Sequence, residues 1–422
     1  MKKSVFWSVM LAVAGCVLVA CGYSSKTYKP PSGLLQRVLA SQSVSSPTAA
    51  AGLFIINGSN DTIGRGGISA GSSPGLMVTD PQRSVLLTFD SSTNRVGVVN
   101  TQRESLTGNV QLPGPTTSIV VPVSSVGYAA VPTAPLNGVP IGGLVAMNLT
   151  SGATTATITV PNARTVVSDS NGAQLLVFSN DSDSVTVVSP LLLNLGGPVT
   201  TTVPGFDRPV GGFFSGGNAY ILNCGPECGG KQASVQILNL GTTPPTAGPA
   251  VAVDGATIGF LSGSTLYVAG VSPTNNLCTG ETTTALTCGR LNIVDIGSMT
   301  VTSSAVITDG YHDHIDMGLG GQLFIGSYGC TNVGNVNNVQ GEVRGCLSIY
   351  DTTNGNVTIP PDNGDVTGLQ GFSSRYVEYV VEGGRLRVYD TTKDSLLLNS
   401  FISNGTIIIT GVITDVKAID FF

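Results

Sequence analysis

Residues 176–190 read LVFSNDSDSVTVVSP: an apolar run, a polar turn rich in Asp and Ser, then a second apolar run closed by a small polar residue. The second run has a form that recurs along the chain. One aliphatic residue is followed by a free position, two mostly apolar residues and a small polar one. Copies begin at Leu53 (LFIIN), Val96 (VGVVN), Leu144 (LVAMN), Val185 (VTVVS), Val235 (VQILN), Leu291 (LNIVD), Leu347 (LSIYD) and Leu386 (LRVYD). Successive copies start 43, 48, 41, 50, 56, 56 and 39 residues apart. Alternating apolar positions over five residues mark a strand with one buried face, and a repeat of roughly 40–50 residues is the period of a propeller blade.

The surroundings of the phrase supply the rest of a blade. Around Val185, residues 165–168 read as an inner strand leading into the turn signal Asp169-Ser170-Asn171-Gly172. Residues 175–180 form the next strand, 181–183 a turn, 185–188 a third strand and 199–203 an outer one. Four antiparallel strands per block match a propeller blade. Eight phrases predict eight blades in a single all-β propeller over residues 37–422. The alternative is seven blades with the N-terminal strands as an added flap. The first phrase leaves room before it for one strand, residues 37–41, and the inner strand missing from that block is expected from residues 416–421. Joining the two ends in one sheet would close the ring and remove its exposed edges.

LVFSNDSDSVTVVSP (176–190) and LLTFDSSTNRVGVVNT (86–101) resemble the YVTN family of bacterial propeller repeats, in which a strand and polar turn precede a V-x-V-x-[DN]-T strand. The resemblance covers most of residues 37–422, with several degenerate copies and two long insertions. It implies a WD40-like propeller and says little of activity, because related propellers serve as surface proteins, lactonases and haem-binding domains.

The N-terminus reads as a targeting segment. Lys2 and Lys3 form a positive start, residues 5–20 are almost wholly apolar, and Leu18-Val19-Ala20 precedes Cys21. This order resembles a bacterial lipoprotein signal peptide over residues 1–20, with Cys21 as the acylated, palmitate-bearing first residue of the mature chain. Cys16 also fits the pattern but would leave the apolar VLVAC at the mature start. The apolar run is short for a membrane-spanning helix. Residues 21–36, with Pro30, Pro31 and Gly33, read as a flexible tether. The expected location is therefore the bacterial cell envelope, lipid-anchored to a membrane: the outer membrane facing the periplasm, or the cell surface.

Only 10% of the residues are charged, and 55 glycines and 23 prolines punctuate short strands. Losing Lys2 and Lys3 with the signal moves the net charge from −6 to −8. A weakly acidic body without Lys/Arg clusters lacks the electrostatic footprint of a nucleic-acid binder.

Six cysteines follow Cys21 in three local pairs, each between the second and third strands of three consecutive blocks. Pairing within each loop is the economical reading: Cys224–Cys228, Cys278–Cys288 and Cys330–Cys346. Export permits such bonds, and each stabilises by ~2–4 kcal/mol on a chain-entropy view. Zinc is the competing reading of C-x3-C, but Cys224 and Cys228 have no second ligand pair or histidine nearby in sequence. The only two histidines lie in Tyr311-His312-Asp313-His314-Ile315-Asp316. On a regular strand His312, His314 and Asp316 share one face. Such a set can bind a divalent transition metal or carry acid–base chemistry. It can equally bridge neighbouring blades by hydrogen bonds. No cofactor is expected beyond a divalent metal at that set.

In a blade, the loop into the inner strand and the loop between strands two and three emerge on the same face. That face thus gathers the histidines and all three cysteine pairs. The leading reading is a non-enzymatic, monomeric binding scaffold that uses the disulfide-braced loops of blades 5–7 to hold a protein or glycan ligand. The second is a hydrolase or lactonase-like enzyme with a site at the channel mouth around His312 and His314. The third, by fold analogy alone, is an accessory lipoprotein of outer-membrane protein assembly. The only tryptophan, Trp7, lies in the signal, so the body lacks the tryptophan docking motifs of quinoprotein propellers. There is no C-x-x-C-H haem-attachment motif and no P-loop.

Overall fold

The last residue of the phrase explains why the phrase repeats. In six copies its side-chain Oδ1 accepts the N–H of a residue two or three positions on: Asn57 from Ser59, Asn100 from Arg103, Asn148 from Thr150, Asp295 from Ser298, Asp351 from Thr353 and Asp390 from Thr392, at 2.8–3.0 Å. Each begins a tight hairpin in which the residue four positions later has positive φ: Asp61, Glu104, Gly152, Met299, Gly355 and Asp394. Asp and Asn suit the start of such a turn because they bond to their own backbone ahead. The apolar residues before them form the strand, and the polar residue turns the chain.

The computed structural model describes residues 29–43, 52–179, 181–190, 200–271, 289–330, 345–361, 364–399, 401–402 and 404–420. These residues form eight antiparallel sheets of four strands, one of them extended by a short fifth strand. From blade 1 to blade 8 the inner strands are Val412–Ala418, Pro74–Thr79, Ser118–Val123, Thr165–Ser168, Pro209–Ser215, Ile258–Ser262, Tyr311–Met317 and Val366–Gly371. Each inner strand touches the next, and the contact between Val366–Gly371 and Val412–Ala418 completes the circle. Eight blades are therefore present, and the seven-blade arrangement with an N-terminal flap is excluded.

Blade 1 is shared by the two ends of the chain. Val412–Ala418 pairs antiparallel with Arg37–Ser43, which pairs with Gly52–Asn57 and, beyond it, Thr62–Ser69. The closing strand begins four residues before the stretch expected from sequence.

One sequence expectation needs correction. The phrase strands do not bury one face; they bury both. In Gly143–Asn148 five consecutive residues are buried. Every blade is sandwiched between two neighbours, so its apolar residues lie in the seams on either side, as in sheets covered on both faces. The cores are accordingly inter-blade clusters, such as the one joining Val38, Ile56 and Val416 of blade 1 to Tyr379, Val381 and Val388 of blade 8.

The ring has two distinct ends. One, the loop face, carries the starts of the inner strands and the loops between second and third strands. The other, the hairpin face, carries the Asx-started hairpins. Residues 29–36 run along the hairpin face, where Ser32 donates its N–H and hydroxyl to the Glu104 carboxylate, both at 2.6 Å. Arg37 ties this corner together, bonding Glu104 at 2.9 Å and Asp420 at 2.7 Å. Residues 1–28, on which the expected signal segment, Cys16 and Cys21 fall, lie outside the described residues.

Candidate functional site at the channel mouth

On the loop face, the segments joining second to third strands are long in blades 3, 5, 6 and 7, and those of blades 6 and 7 fall mostly outside the described residues. Blade 5 carries a 3-10 turn, Gly225–Cys228, braced by the Cys224–Cys228 disulfide with 5.6 Å between Cα atoms. Blade 7 carries the Cys330–Cys346 disulfide, with Cα atoms 5.7 Å apart. The third pair, Cys278 and Cys288, lies outside the described residues. Blade 3 adds a small hairpin, Pro135–Leu136 against Val139–Pro140, which the repeat pattern did not reveal.

The 3-10 turn in the blade 5 loop aims Glu227 toward its neighbours. Its Oε2 accepts the N–H of Val271, at the end of blade 6's second strand, at 3.0 Å. Burial raises the Glu227 carboxyl to about 7, opposed by that N–H. Two tyrosines of blade 7 feel its charge. Tyr311 opens the inner strand and Tyr328 ends the second, and the two are cross-strand partners with ring centroids 5.3 Å apart. Burial, then Glu227, Tyr328 and Asp313, push Tyr311 up to about 12, while Arg164 of blade 4 opposes the shift. Tyr328 is also raised, by burial, Asp313 and Glu227. Tyr328 is 44% exposed and Arg164 is exposed, so the cluster borders solvent.

The histidine trio is not assembled as its spacing implies. A β-bulge between His312 and His314 leaves Asp313 as an extra residue in the register with the second strand. An inserted residue reverses the alternation beyond it. His312 therefore faces blade 6, where Thr257 donates to its carbonyl at 2.8 Å. Its ring fits because position 289 is glycine: a Cβ there would lie 2.8 Å from His312 Cε1. His314 and Asp316 face blade 8. Asp316 is taken up by backbone N–H groups of Met317 and Gly371, at 2.9 and 2.8 Å.

His312 is fully buried, and its Nε2–H donates to the Thr308 carbonyl at 3.0 Å. Burial dominates and lowers its pKa to about 4, although that carbonyl works the other way. It is a neutral core histidine. His314 is placed differently: its side chain is 30% exposed and its Nδ1 lies 2.6 Å from Asp313 Oδ1. The residues brought together are thus Glu227, Tyr311, Asp313, His314 and Tyr328, with Arg164 near. Glu227 was legible only as the acid inside CGPEC. The tyrosines had no signal until the pairing of their strands was known.

Gly67-Ile68-Ser69-Ala70-Gly71 has the letter pattern of a G-x-S-x-G nucleophile elbow. The elbow needs a strand-to-helix turn and a histidine. Ser69 instead ends the outer strand of blade 1, and a strand follows it, whereas both histidines are in blade 7. It borders a groove of about 230 Å³ with Asp90, whose carboxylate is occupied by Ser72 and Ser92.

Glu227 and His312 oppose each other in pH dependence. The Glu227 value is raised above its ordinary 4.5, so its contribution to stability is present below 4.5 and lost as pH rises through about 7. The His312 value is lowered from 6.5, so its contribution is present above 6.5 and lost as pH falls through about 4. Each interval corresponds to roughly 3 kcal/mol at most, with the Glu227 share reduced by partial solvation. Glu227→Gln should therefore give a protein whose urea midpoint climbs steeply from pH 4 to 6.5. A profile superimposable on the parent would place the titration elsewhere.

No protein-family model matches this chain, and no curated protein matches it. Many solved structures do, at low identity. Periplasmic gluconolactonase PpgL of Pseudomonas aeruginosa is similar at 12% identity and TM-score 0.50, over 91% of this chain and 98% of that one. Dihydro-heme d1 dehydrogenase NirN is similar at 13% identity and TM-score 0.53, over 80% of this chain and 67% of that one. A eukaryotic initiation factor is similar at 13% identity and TM-score 0.52, over 91% and 98%. Identities this low, shared with proteins of such different work, establish one thing for this chain: it has the β-propeller fold.

Proposed function

We propose that this protein is a lipid-anchored, extracytoplasmic propeller of the YVTN-repeat type that recognises a hydroxyl-rich ligand, a glycan or glycosylated partner, on the loop face of blades 5–7. The observation that carries the reading is the Tyr328–Tyr311 pair at the channel mouth. One ring is 44% exposed and packed on the other, with Glu227 and Asp313 acting on both. An aromatic face beside carboxylates and a histidine matches a sugar ring, which offers apolar C–H groups on one side and hydroxyls at its edge. The braced loop of blade 5 keeps Glu227 in place, and rigid loops lose less entropy on binding.

The position of residues 29–36 supports the anchored arrangement. They lie on the hairpin face, and Lys29 is eight positions after Cys21, a reach of at most ~28 Å. An acyl anchor at Cys21 would hold the hairpin face toward the membrane and turn the loop face outward.

The purified protein on an immobilised glycan panel should bind, and Tyr328→Ala should weaken that binding about tenfold, the scale of one lost aromatic contact. Binding insensitive to Tyr328→Ala, or none on any glycan, rejects the reading. In cells, palmitate-analogue labelling should vanish in Cys21→Ser. The hydrolase reading keeps one specific support, the Asp313–His314 bond. Lactone turnover abolished by His314→Ala would favour it.

A further inference from the structure

Glu378 opens the second strand of blade 8, Val377–Glu382, on the hairpin face, remote from the tyrosine cluster. It is 0% exposed, and no hydrogen-bond partner reaches either carboxylate oxygen among the described residues. Buried polar groups are almost always partnered, and a buried ionised carboxylate without compensation is costly. Its cross-strand neighbours are Gly371 and Tyr389. Tyr389 gives its hydroxyl to Glu382 at 2.9 Å, so it does not serve Glu378.

Across the seam with blade 7 stands Asp316. Its Oδ2 accepts the Gly371 N–H at 2.8 Å and its Oδ1 the Met317 N–H at 2.9 Å, which leaves each oxygen a further lone pair. A Cβ at position 371 would sit 2.7 Å from Glu378 Oε2 and 3.0 Å from the Met317 carbonyl oxygen. The glycine therefore leaves open a small cradle bordered by the Glu378 carboxylate and the Met317 carbonyl, with Asp316 at its edge. The polar groups that border it are oxygen acceptors, two of them acids.

The positive groups nearby are engaged. Lys417 of the closing strand bonds Asp415 at 3.1 Å, and Arg83 of blade 2 donates to the Asp420 carbonyl at 2.7 Å. A proton on Glu378 would relieve its own charge and serve a single one of these acceptors, leaving the others unshared. A cation satisfies both carboxylates and the carbonyl together. We propose that Glu378, Asp316 and the Met317 carbonyl form a site for a hard divalent cation of the calcium type, which pins blade 7 to blade 8. Carboxylates plus a backbone carbonyl are the ligands such ions take.

Protein stripped with EDTA is titrated with calcium chloride, followed by thermal unfolding, and with terbium chloride, followed by tyrosine-sensitised emission, for which Tyr389 is adjacent. Calcium should raise the midpoint by several degrees and displace the terbium. Glu378→Gln should lose both responses, and Asp316→Asn should weaken affinity about tenfold. Gly371→Ala keeps both acids but fills the cradle, and should also lose the terbium signal. That variant decides the matter if Glu378→Gln does not fold. No response in the parent protein, or a response undiminished in Glu378→Gln or Gly371→Ala, overturns the site.

Discussion

Removing residues 411–422 should yield a chain that does not fold. The deleted segment contains Val412–Ala418, the inner strand of blade 1, paired with Arg37–Ser43. Ile413, Val416 and Ile419 are 2%, 0% and 3% exposed, and their burial contributes roughly 5–9 kcal/mol. That alone rivals the roughly 5–15 kcal/mol by which whole domains are stable. The loss extends beyond the strand. Asp415 accepts the N–H of Met77 in blade 2 at 2.7 Å, and Asp420 is the main partner of Arg37. Without the strand, Arg37–Ser43 becomes a bare edge open to pairing with other chains. Circular dichroism and size-exclusion chromatography should report unfolded or aggregated material. A monomeric, cooperatively melting product would mean that the ring does not depend on its closure. Deletion of residues 1–28 is the control, since it leaves every described contact in place.

Arg375→Ala should cost about 1.5–3 kcal/mol, the range for losing hydrogen bonds to a charged group: Asp61 is buried, but the Arg375 side chain is 23% exposed. Asp61 is 0% exposed and accepts from Arg375 Nη1 and Nη2 at 2.9 and 2.8 Å. Tyr379 donates its hydroxyl to the same carboxylate, and Asn399 adds a bond at 3.3 Å. Asp61 belongs to the first hairpin of blade 1, and Arg375 and Tyr379 belong to blade 8. The pair therefore seals the same seam as the closing strand, on the hairpin face. Asp61→Ala combined with Arg375→Ala should cost clearly less than the two single losses added, because the double variant buries no orphaned charge. Equilibrium denaturation of the four proteins measures this. A loss under about 1 kcal/mol for Arg375→Ala would show that the guanidinium is replaced by water without penalty.

The phrase that repeats along the chain encodes local events. Its apolar residues make a strand, and its closing Asn or Asp makes the hairpin, so blade number and strand order were legible from consecutive residues. Ring closure was legible too, because the count left one block short of an inner strand. Two cysteine pairs close as expected because each spans a single loop.

The site was less legible, and the reason lies in a single residue. Period-two reasoning put His312, His314 and Asp316 on one face, but the bulge at Asp313 turned His312 away. Nothing in YHDHID announces an extra residue. Glu227, Tyr311 and Tyr328 meet because three blades curve around one channel. Asp61 and Arg375 are 314 positions apart, and neither looks special alone. Glu378, at the start of a strand, reads as a solvated end until a neighbouring blade covers it. By itself, then, the sequence determined what forms over a few residues: strands, turns, their number and the meeting of the ends. Which polar groups are buried, and what they face, depends on the packing of one blade against the next, and only the tertiary structure decided that.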